Sequence, residues 1–428
     1  MHIENLYQLY LQSKLKVSTD TRKITQGSIF FALKGANFDG NRFATSALEK
    51  GAAYAVVDDA AVAAEDERIL LVKDALSSLQ ELANYHRKQL KAHVLAITGS
   101  NGKTTTKELV HQVLASQYKT LATPGNFNNH IGLPLTILQT QLDTEILILE
   151  MGDNNLGEIA ELCQIGMPNS GLITNIGKDH LEGFGSFENN LRAKSELFDY
   201  LLKHQGTPFI NTKDPIVSNM AKRFHEPVLY GSEPDFAHLN KIEKNGFISF
   251  SLDGVKYDTH LFGDYNFANV EAAHCIGKYF KVPNEKIAKA LSEYKPKNNR
   301  SQVLDTNKNT LLLDAYNANP SSVGAVLDSF AKLQTQLPKL AILGDMLELG
   351  NISEREHANI ILQATQLNIK TYFCGPLYHD QRPKESVHEF FADKNQLVEY
   401  LKKANPSGCH ILIKGSRGMQ LESLLEYL

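Results

Sequence analysis

The sequence predicts an α/β protein of three units, each built on a largely parallel sheet covered by helices. Three observations lead there. Short β-branched and apolar runs alternate with helix-length amphipathic segments along nearly all of the 428 residues, the pattern of strand–helix–strand crossovers. Two passages interrupt that rhythm, near residues 90 and 297. Between them, one strand–turn–helix passage carries a phosphate-binding signature.

In the first unit, 1–90, the strand candidates are "SIFFAL" and "AAYAVV", and the unit closes on the helical run "LQELANYHRKQLKA". In the second, 91–297, they are "HVLAIT", "EILILE" and "GLITNI". "TTTKELVHQVLAS" repeats Leu109, Val113 and Leu114 at helical spacing and predicts a helix with one buried face. The polar passage "SEYKPKNNRSQ" then separates a third unit, 298–428, with "TLLLDA", "KLAILG", "KTYFCG" and "CHILIK" as its strands. The expected architecture is a central P-loop-type sheet domain with helices on both faces, flanked by an N-terminal α/β domain and a C-terminal Rossmann-like α/β domain.

Composition narrows the function. With 42% hydrophobic and 21% charged residues the chain buries real cores. A net charge of -4 argues against a general nucleic-acid binder. No apolar run reaches membrane-spanning length, and "MHIENLYQLYLQSKLK" lacks a signal-peptide core. Cys163, Cys275, Cys374 and Cys409 are scattered, without a CxxC, as expected of reduced packing residues in a cytoplasmic protein.

The chemistry centres on "VLAITGSNGKTTTKELVHQVL". A strand, a glycine-containing turn and a helix in that order gather free backbone N–H groups at the positive end of a helix dipole, where phosphate oxygens bind. Gly99 and Gly102 allow close backbone approach. Lys103 offers a point charge for β- and γ-phosphates, and Thr104 a hydroxyl for Mg2+. Gly99, Ser100, Asn101, Gly102, Lys103, Thr104 and Thr105 are the expected nucleotide contacts. Glu150 ends the apolar strand of "EILILEMGDNNLGEI", where ligands of open parallel sheets gather, and is a metal candidate. His180 follows another strand in "GLITNIGKDHLEGFGS"; Lys194 and Glu196 lie on the helical run "NNLRAKSELF". On position alone, Glu150 could equally be an exposed strand-end acid, His180 a solvated side chain and Lys194 a surface lysine.

The form T-G-x-N-G-K-T-T, with Ile97 where an ordinary P-loop has glycine, resembles the ATP loop of the Mur ligases and their folate-tailoring relatives. Around it, "DTRKITQGSIFFALKGANFDGNRF", "TPGNFNNHIGLPLTIL", "DHLEGFGS", "GDYNFANVEAA", "LLLDAYNANPSSV", "LGDMLELG" and "ILIKGSRGMQLE" resemble segments of the same family in the same order. Three places depart from it: Asn41 and Tyr265 stand where the family usually has histidine, and "NNR", ending in Arg300, replaces "PGR".

The resemblance implies an ATP-dependent amide ligase joining D-Ala-D-Ala to UDP-N-acetylmuramoyl-tripeptide through an acyl phosphate. Both substrates are small molecules, with lysine and diaminopimelate both open as the third peptide residue. It implies a monomer in the cytoplasm, with no membrane insertion and no nucleic-acid partner. ATP and two Mg2+ are the implied cofactors. Thr104, Glu150, His180 and Lys194 would hold metal, Lys194 as a carbamate made from CO2. Asn266, Asn269, Asp314 and Asn317 would fix the nucleotide. Arg300 would clamp the γ-phosphate, joining Lys103, His180 and Lys194 as catalytic groups. Thr21, Arg22, Lys34, Gly35 and Asp39 in the first unit, Asn126, Asn128 and Asn129 in the second, and Tyr316, Asn319, Lys414 and Arg417 in the third would meet the substrates. A sister ligase adding a single amino acid, a folate-tailoring ligase, an ordinary P-loop kinase or ATPase, and a nucleotide-binding switch are the competing readings.

Overall fold

A computed structural model describes residues 1–64, 66–179 and 181–428, and the side chains of all of these but Leu181 and Glu243. Glu65 and His180 fall outside the described residues. Every strand candidate named above forms a strand.

The first unit carries a four-stranded parallel sheet of Val17–Ser18, Ile29–Phe31, Tyr54–Val57 and Ile69–Leu71, side by side in that order. The helix Ala75–Gln89 leads out of it and buries Leu79, Leu82 and Ala83. At the same junction Tyr10 donates 2.6 Å to the Leu138 carbonyl and a His86 ring nitrogen lies 2.8 Å from the Thr140 carbonyl, tying the first unit to the second.

The second unit holds a six-stranded, all-parallel sheet with His93–Thr98 and its neighbours Ile146–Glu150 and Ser170–Ile173 at the centre. Strands that follow His93–Thr98 in the chain are laid first to one side and then to the other. The crevice at that switch point, beyond the strands' carboxyl ends, is where such sheets bind ligands. Both faces are covered. Leu109, Val113 and Leu114 of the helix Lys103–Ala115 join one apolar core, and Leu197, Phe198 and Leu201 of Phe187–Lys203 join the other.

A three-stranded antiparallel sheet, Asn240–Lys244, Phe247–Leu252 and Val255–Phe262, follows within the second unit, ahead of the helices Phe267–Tyr279 and Asn284–Glu293, and is absent from the expected architecture. Its two tight turns are Asn245-Gly246, with φ of 44° and 80°, and Asp253-Gly254, with φ of 52° and 77°. Two consecutive positive φ values are what a two-residue type I′ hairpin requires, and Asn-Gly and Asp-Gly supply them at least cost.

The third unit carries six strands, parallel except for the edge strand Gln302–Asp305, which runs antiparallel to Thr310–Asp314. The linker enters through Asn298 and Asn299, both left-handed at φ of 59° and 57°. Asparagine tolerates that region better than most residues, so "NN" provides the turn that "PG" would otherwise make.

Candidate active site

The sequence places Ile97 where a longer phosphate loop would already have turned. In the structure it is still strand, fully buried and in register with Glu150 and Leu172. The turn is therefore compressed into Gly99–Gly102. Gly99 has a φ of 134°, and a Cβ there would lie 2.1 Å from the Thr174 hydroxyl. Gly102, at φ 83°, caps the helix Lys103–Ala115, and a Cβ would lie 2.5 Å from Asn269 Oδ1. Neither position admits another residue without rearrangement. Asn101 is held from the neighbouring strand end: its N–H donates to Asn175 Oδ1 (3.0 Å), and its carbonyl accepts from Thr174 Oγ1 (2.7 Å) and Asn175 Nδ2 (2.9 Å).

The Lys103 ammonium folds back over this loop and donates to the Gly99 carbonyl at 2.5 Å. Burial, reinforced by the Lys194 charge, pushes Lys103 below the usual ammonium range. Thr104 Oγ1 donates to Glu150 Oε1 at 3.0 Å, and Asn128 Nδ2 donates to the same oxygen at 2.9 Å. Glu150 Oε2 is buried with no hydrogen-bond partner. Hydroxyl and carboxylate thus meet at the mouth of the loop, as the sequence predicts.

A cleft of about 610 Å³ opens there between the second and third units. From the second unit Ser100 to Thr105, Asn126, Asn128, Asn129, Glu150, Asn266 and Asn269 line it; from the third, Arg300, Asp314, Tyr316, Asn317 and Lys414. Arg300 stacks its guanidinium 3.8 Å from the centroid of the Tyr316 ring. Lys414 donates to Asp314 Oδ2 (2.7 Å) and to the Asn317 carbonyl (3.0 Å), so this cation is neutralised and fixes the wall. Asn269 bridges Thr106 Oγ1 and Asn266 Oδ1 at 3.0 and 2.9 Å, which makes it a brace for the loop as well as a lining residue. Tyr265, at a position where the family usually has histidine, bonds Ser301 Oγ at 2.9 Å beside the linker.

Lys194 stands behind this wall. Its side chain is fully buried, 3.1 and 3.2 Å from the oxygens of Asp153 and 3.4 Å from Asp179 Oδ2. Asp153 itself lines the cleft. Burial would raise the Asp179 carboxyl, but the Lys194 and Lys103 charges and the Ser100 and Asn190 hydrogen bonds outweigh it and hold the group below the usual carboxylate range. Glu196 plays a different part: it accepts the Gly157 and Ala160 N–H groups at 2.7 and 2.9 Å and caps the helix Glu158–Gly166. His180 lies outside the described residues. Among the described residues no three His, Cys, Asp or Glu side chains form a preassembled metal cage.

Other expected contacts lie elsewhere. Asn319 does not line the cleft; it caps the helix Pro320–Ala331 and donates 2.8 Å to Asn101 Oδ1, joining the third unit to the phosphate loop. Arg417 is paired with Glu422. None of Thr21, Arg22, Lys34, Gly35 and Asp39 lines the cleft. Arg22 is exposed and paired with Asp20, whereas Lys34 reaches Asp58 at 2.7 Å. Asn41 bridges Asp39 and Asp58 at 2.9 and 2.8 Å, which accounts for a short amide at the position of the family's histidine.

Sequence reasoning missed Asp153 and Asp179. Asp153 stands three residues after Glu150 in "LEMGD", and Asp179 immediately before His180, but neither position by itself points to Lys194.

Family models match each unit: "Mur ligase family, catalytic domain" over 16–87, "Mur ligase middle domain" over 97–277, and "Mur ligase, glutamate ligase domain" over 299–417. A Bacillus subtilis UDP-N-acetylmuramoyl-tripeptide–D-alanyl-D-alanine ligase is 36% identical over 96% of this chain and 92% of its own length. The chain belongs to the Mur ligase family. The Escherichia coli relative of the same name is 33% identical over 96% and 93%. Among solved structures, this Mur ligase superposes on MurF from Acinetobacter baumannii with a TM-score of 0.87, 27% identity and coverage of 98% and 97%. MurF from Thermotoga maritima, solved with ADP, gives 0.84 at 27% identity, with 96% of each chain covered.

Proposed function

We infer that this enzyme is an ATP-dependent ligase that joins D-Ala-D-Ala to UDP-N-acetylmuramoyl-tripeptide, forming an amide in peptidoglycan precursor synthesis. The observation that carries the reading is the single cleft in which the phosphate loop, the Thr104–Glu150 pair and the third unit's Arg300 face one another. The relatives' names point to the same reaction.

A carboxylate oxygen leaves too poorly to acylate an amine at neutral pH. In the proposed reaction the tripeptide's terminal carboxylate attacks the γ-phosphorus, the bond to the β–γ bridging oxygen breaks, and ADP departs. The dipeptide's free amine then attacks the acyl carbon, and inorganic phosphate leaves from the tetrahedral intermediate. Lys103 and the loop N–H groups hold the β- and γ-phosphates, and Arg300 meets the transferring group. Asn266, Asn269, Asp314 and Asn317 are assigned to the nucleotide. Asn126, Asn128, Asn129, Tyr316 and Lys414 are assigned to the peptide and dipeptide, and the first unit, 1–90, to the uridine nucleotide. With groups drawn from separate units, closure precedes chemistry.

The donor set fits Mg2+. Thr104 Oγ1 and Glu150 Oε1 offer hard oxygens 3.0 Å apart at the mouth of the loop, and Mg2+ takes few protein ligands because it keeps water and phosphate oxygens. Bound there, it would neutralise charge on the phosphate oxygens. The second assignment places Lys194, as a carbamate, with His180. A carbamate beside Asp153 and Asp179 adds negative charge to an acidic pocket, so its formation is coupled to the arrival of a cation. We assign the enzyme to the cytoplasm, where ATP and UDP-linked precursors meet; no helix among the described residues is long and apolar enough to cross a membrane.

The test is phosphate release from ATP, with product mass. Release that requires both UDP-tripeptide and D-Ala-D-Ala, with mass gained by the dipeptide less one water, supports the ligase. Release with ATP alone would make the chain an ATPase or a switch.

A further inference from the structure

Lys107 plays no part in the reaction above, yet its side chain is fully buried beside the site. It lies four residues after Lys103, on the same helix. Its ammonium donates 2.7 Å to the Thr123 carbonyl, pairs with Glu108 Oε1 at 2.9 Å, and stands 3.8 Å from Glu150 Oε2. Thr123 in turn braces Glu150: its Oγ1 accepts the Glu150 N–H at 3.0 Å. The two oxygens of Glu150 are therefore treated differently. Oε1 faces the Thr104 hydroxyl and the Asn128 amide, whereas Oε2 is turned toward a cation and has no hydrogen bond of its own.

A neutral donor would satisfy the Thr123 carbonyl with a smaller desolvation cost than an ammonium. The tie to Thr123 thus explains a donor at this position but not a charge. Two carboxylates face that charge: the part-exposed Glu108 at 2.9 Å, and the buried Glu150 Oε2 at 3.8 Å, which has no hydrogen bond of its own.

We propose that Lys107 is a positioning residue that fixes the Glu150 carboxylate in one orientation, presenting Oε1 to the metal and keeping Oε2 back. The proposal rests on the reading of Glu150 as a Mg2+ ligand. It assigns two jobs to one charge. Lys107 limits Glu150 to one-oxygen ligation, and it offsets one unit of negative charge, so that the metal is shared with ATP rather than trapped by the protein.

The experiment uses the full-length enzyme and Mn2+ as a paramagnetic probe, with free Mn2+ read by electron spin resonance without nucleotide. Lys107→Met adds one net negative charge at the site, and Mn2+ should bind roughly 3- to 10-fold tighter. In the same variant kcat for ligation should fall at least about 10-fold, because the carboxylate is no longer fixed. Lys107→Arg, which restores the cation, should return Mn2+ affinity to within about threefold of the parent. Lys107→Gln retains a donor to Thr123 and replaces the Met variant if the latter does not fold; the same shifts are expected of it. Unchanged Mn2+ affinity in a folded neutral variant, whether or not its melting temperature falls, would overturn the proposal and leave Lys107 a structural tie. Glu150→Gln separates this from the underlying reading. If it weakens Mn2+ binding and Lys107→Met has no effect, only the positioning role fails; if it leaves Mn2+ binding unchanged, the metal assignment of Glu150 fails.

Discussion

Replacing Lys194 with alanine removes the cation from between two buried carboxylates. Lys194 exposes none of its side chain, and Asp153 and Asp179 expose 1% and 2% of theirs. At 3.1 Å and an effective dielectric near 20, the attraction to Asp153 alone is about 5 kcal/mol before desolvation is counted. Breaking buried pairs by removing one partner costs about 3–5 kcal/mol in practice, which is a large part of a typical domain's stability. Lys194→Ala should therefore lower the unfolding free energy of the second unit by about 3–5 kcal/mol at pH 7. The sign of its pH dependence follows. With the cation gone, the Asp179 carboxyl loses a charge that holds it below the usual carboxylate range and protonates more readily. The gap between parent and variant should narrow as pH falls below about 5. Activity should fall with stability, and short carboxylic acids should restore part of it by supplying the oxygen that a carbamate would have offered. The assay is urea denaturation at pH 7 and pH 5, beside phosphate release with and without acetate. A loss of under about 1 kcal/mol at pH 7 would refute the buried triad. Full activity with CO2 excluded would remove the carbamate.

Three further outcomes are expected. Asn319→Ala deletes both a helix cap and the bond to Asn101, so kcat/KM for ATP should fall about fivefold, from about 1 kcal/mol; combined with Asn101→Ala the losses should be less than additive, and full additivity in the cycle would deny the contact. Arg300→Lys keeps the charge but loses the planar stack on Tyr316, and steady-state kinetics should show kcat/KM reduced by about tenfold. Burial pushes His274 down to about 4, so the unfolded chain takes up its proton first. Stability should fall as pH drops from about 6.5 to about 4, by at most about 3 kcal/mol from this group, and His274→Gln should flatten that limb of a pH series of denaturation midpoints.

The parts of the site that were legible in the sequence are those built by local order. Strand, glycine turn and helix from Val94 to Leu114 define the phosphate loop without help from distant residues, and Glu150 was legible because it ends the strand next to that loop. Asp153 and Asp179 were not, because what matters is their convergence on Lys194 from separate loops, across 41 and 15 positions of chain respectively for the Asp153 bond and the Asp179 pairing. Asn319 reads in sequence as a member of a substrate motif; only the packing of the third unit on the second turns its amide to Asn101, 218 positions away. The antiparallel sheet is a different case. Asn245-Gly246 and Asp253-Gly254, flanking the β-rich run "FISFSL", are strong hairpin signals that a search for parallel crossovers passes over.

The proposed reaction depends most on the peptide's carboxylate becoming an acyl phosphate before the amine arrives. UDP-tripeptide labelled with 18O in its terminal carboxylate, turned over with ATP and D-Ala-D-Ala, tests this in a single mass measurement of the released phosphate. The account predicts one 18O atom in each inorganic phosphate. Phosphate without the label, from a reaction that still forms the amide, would contradict it.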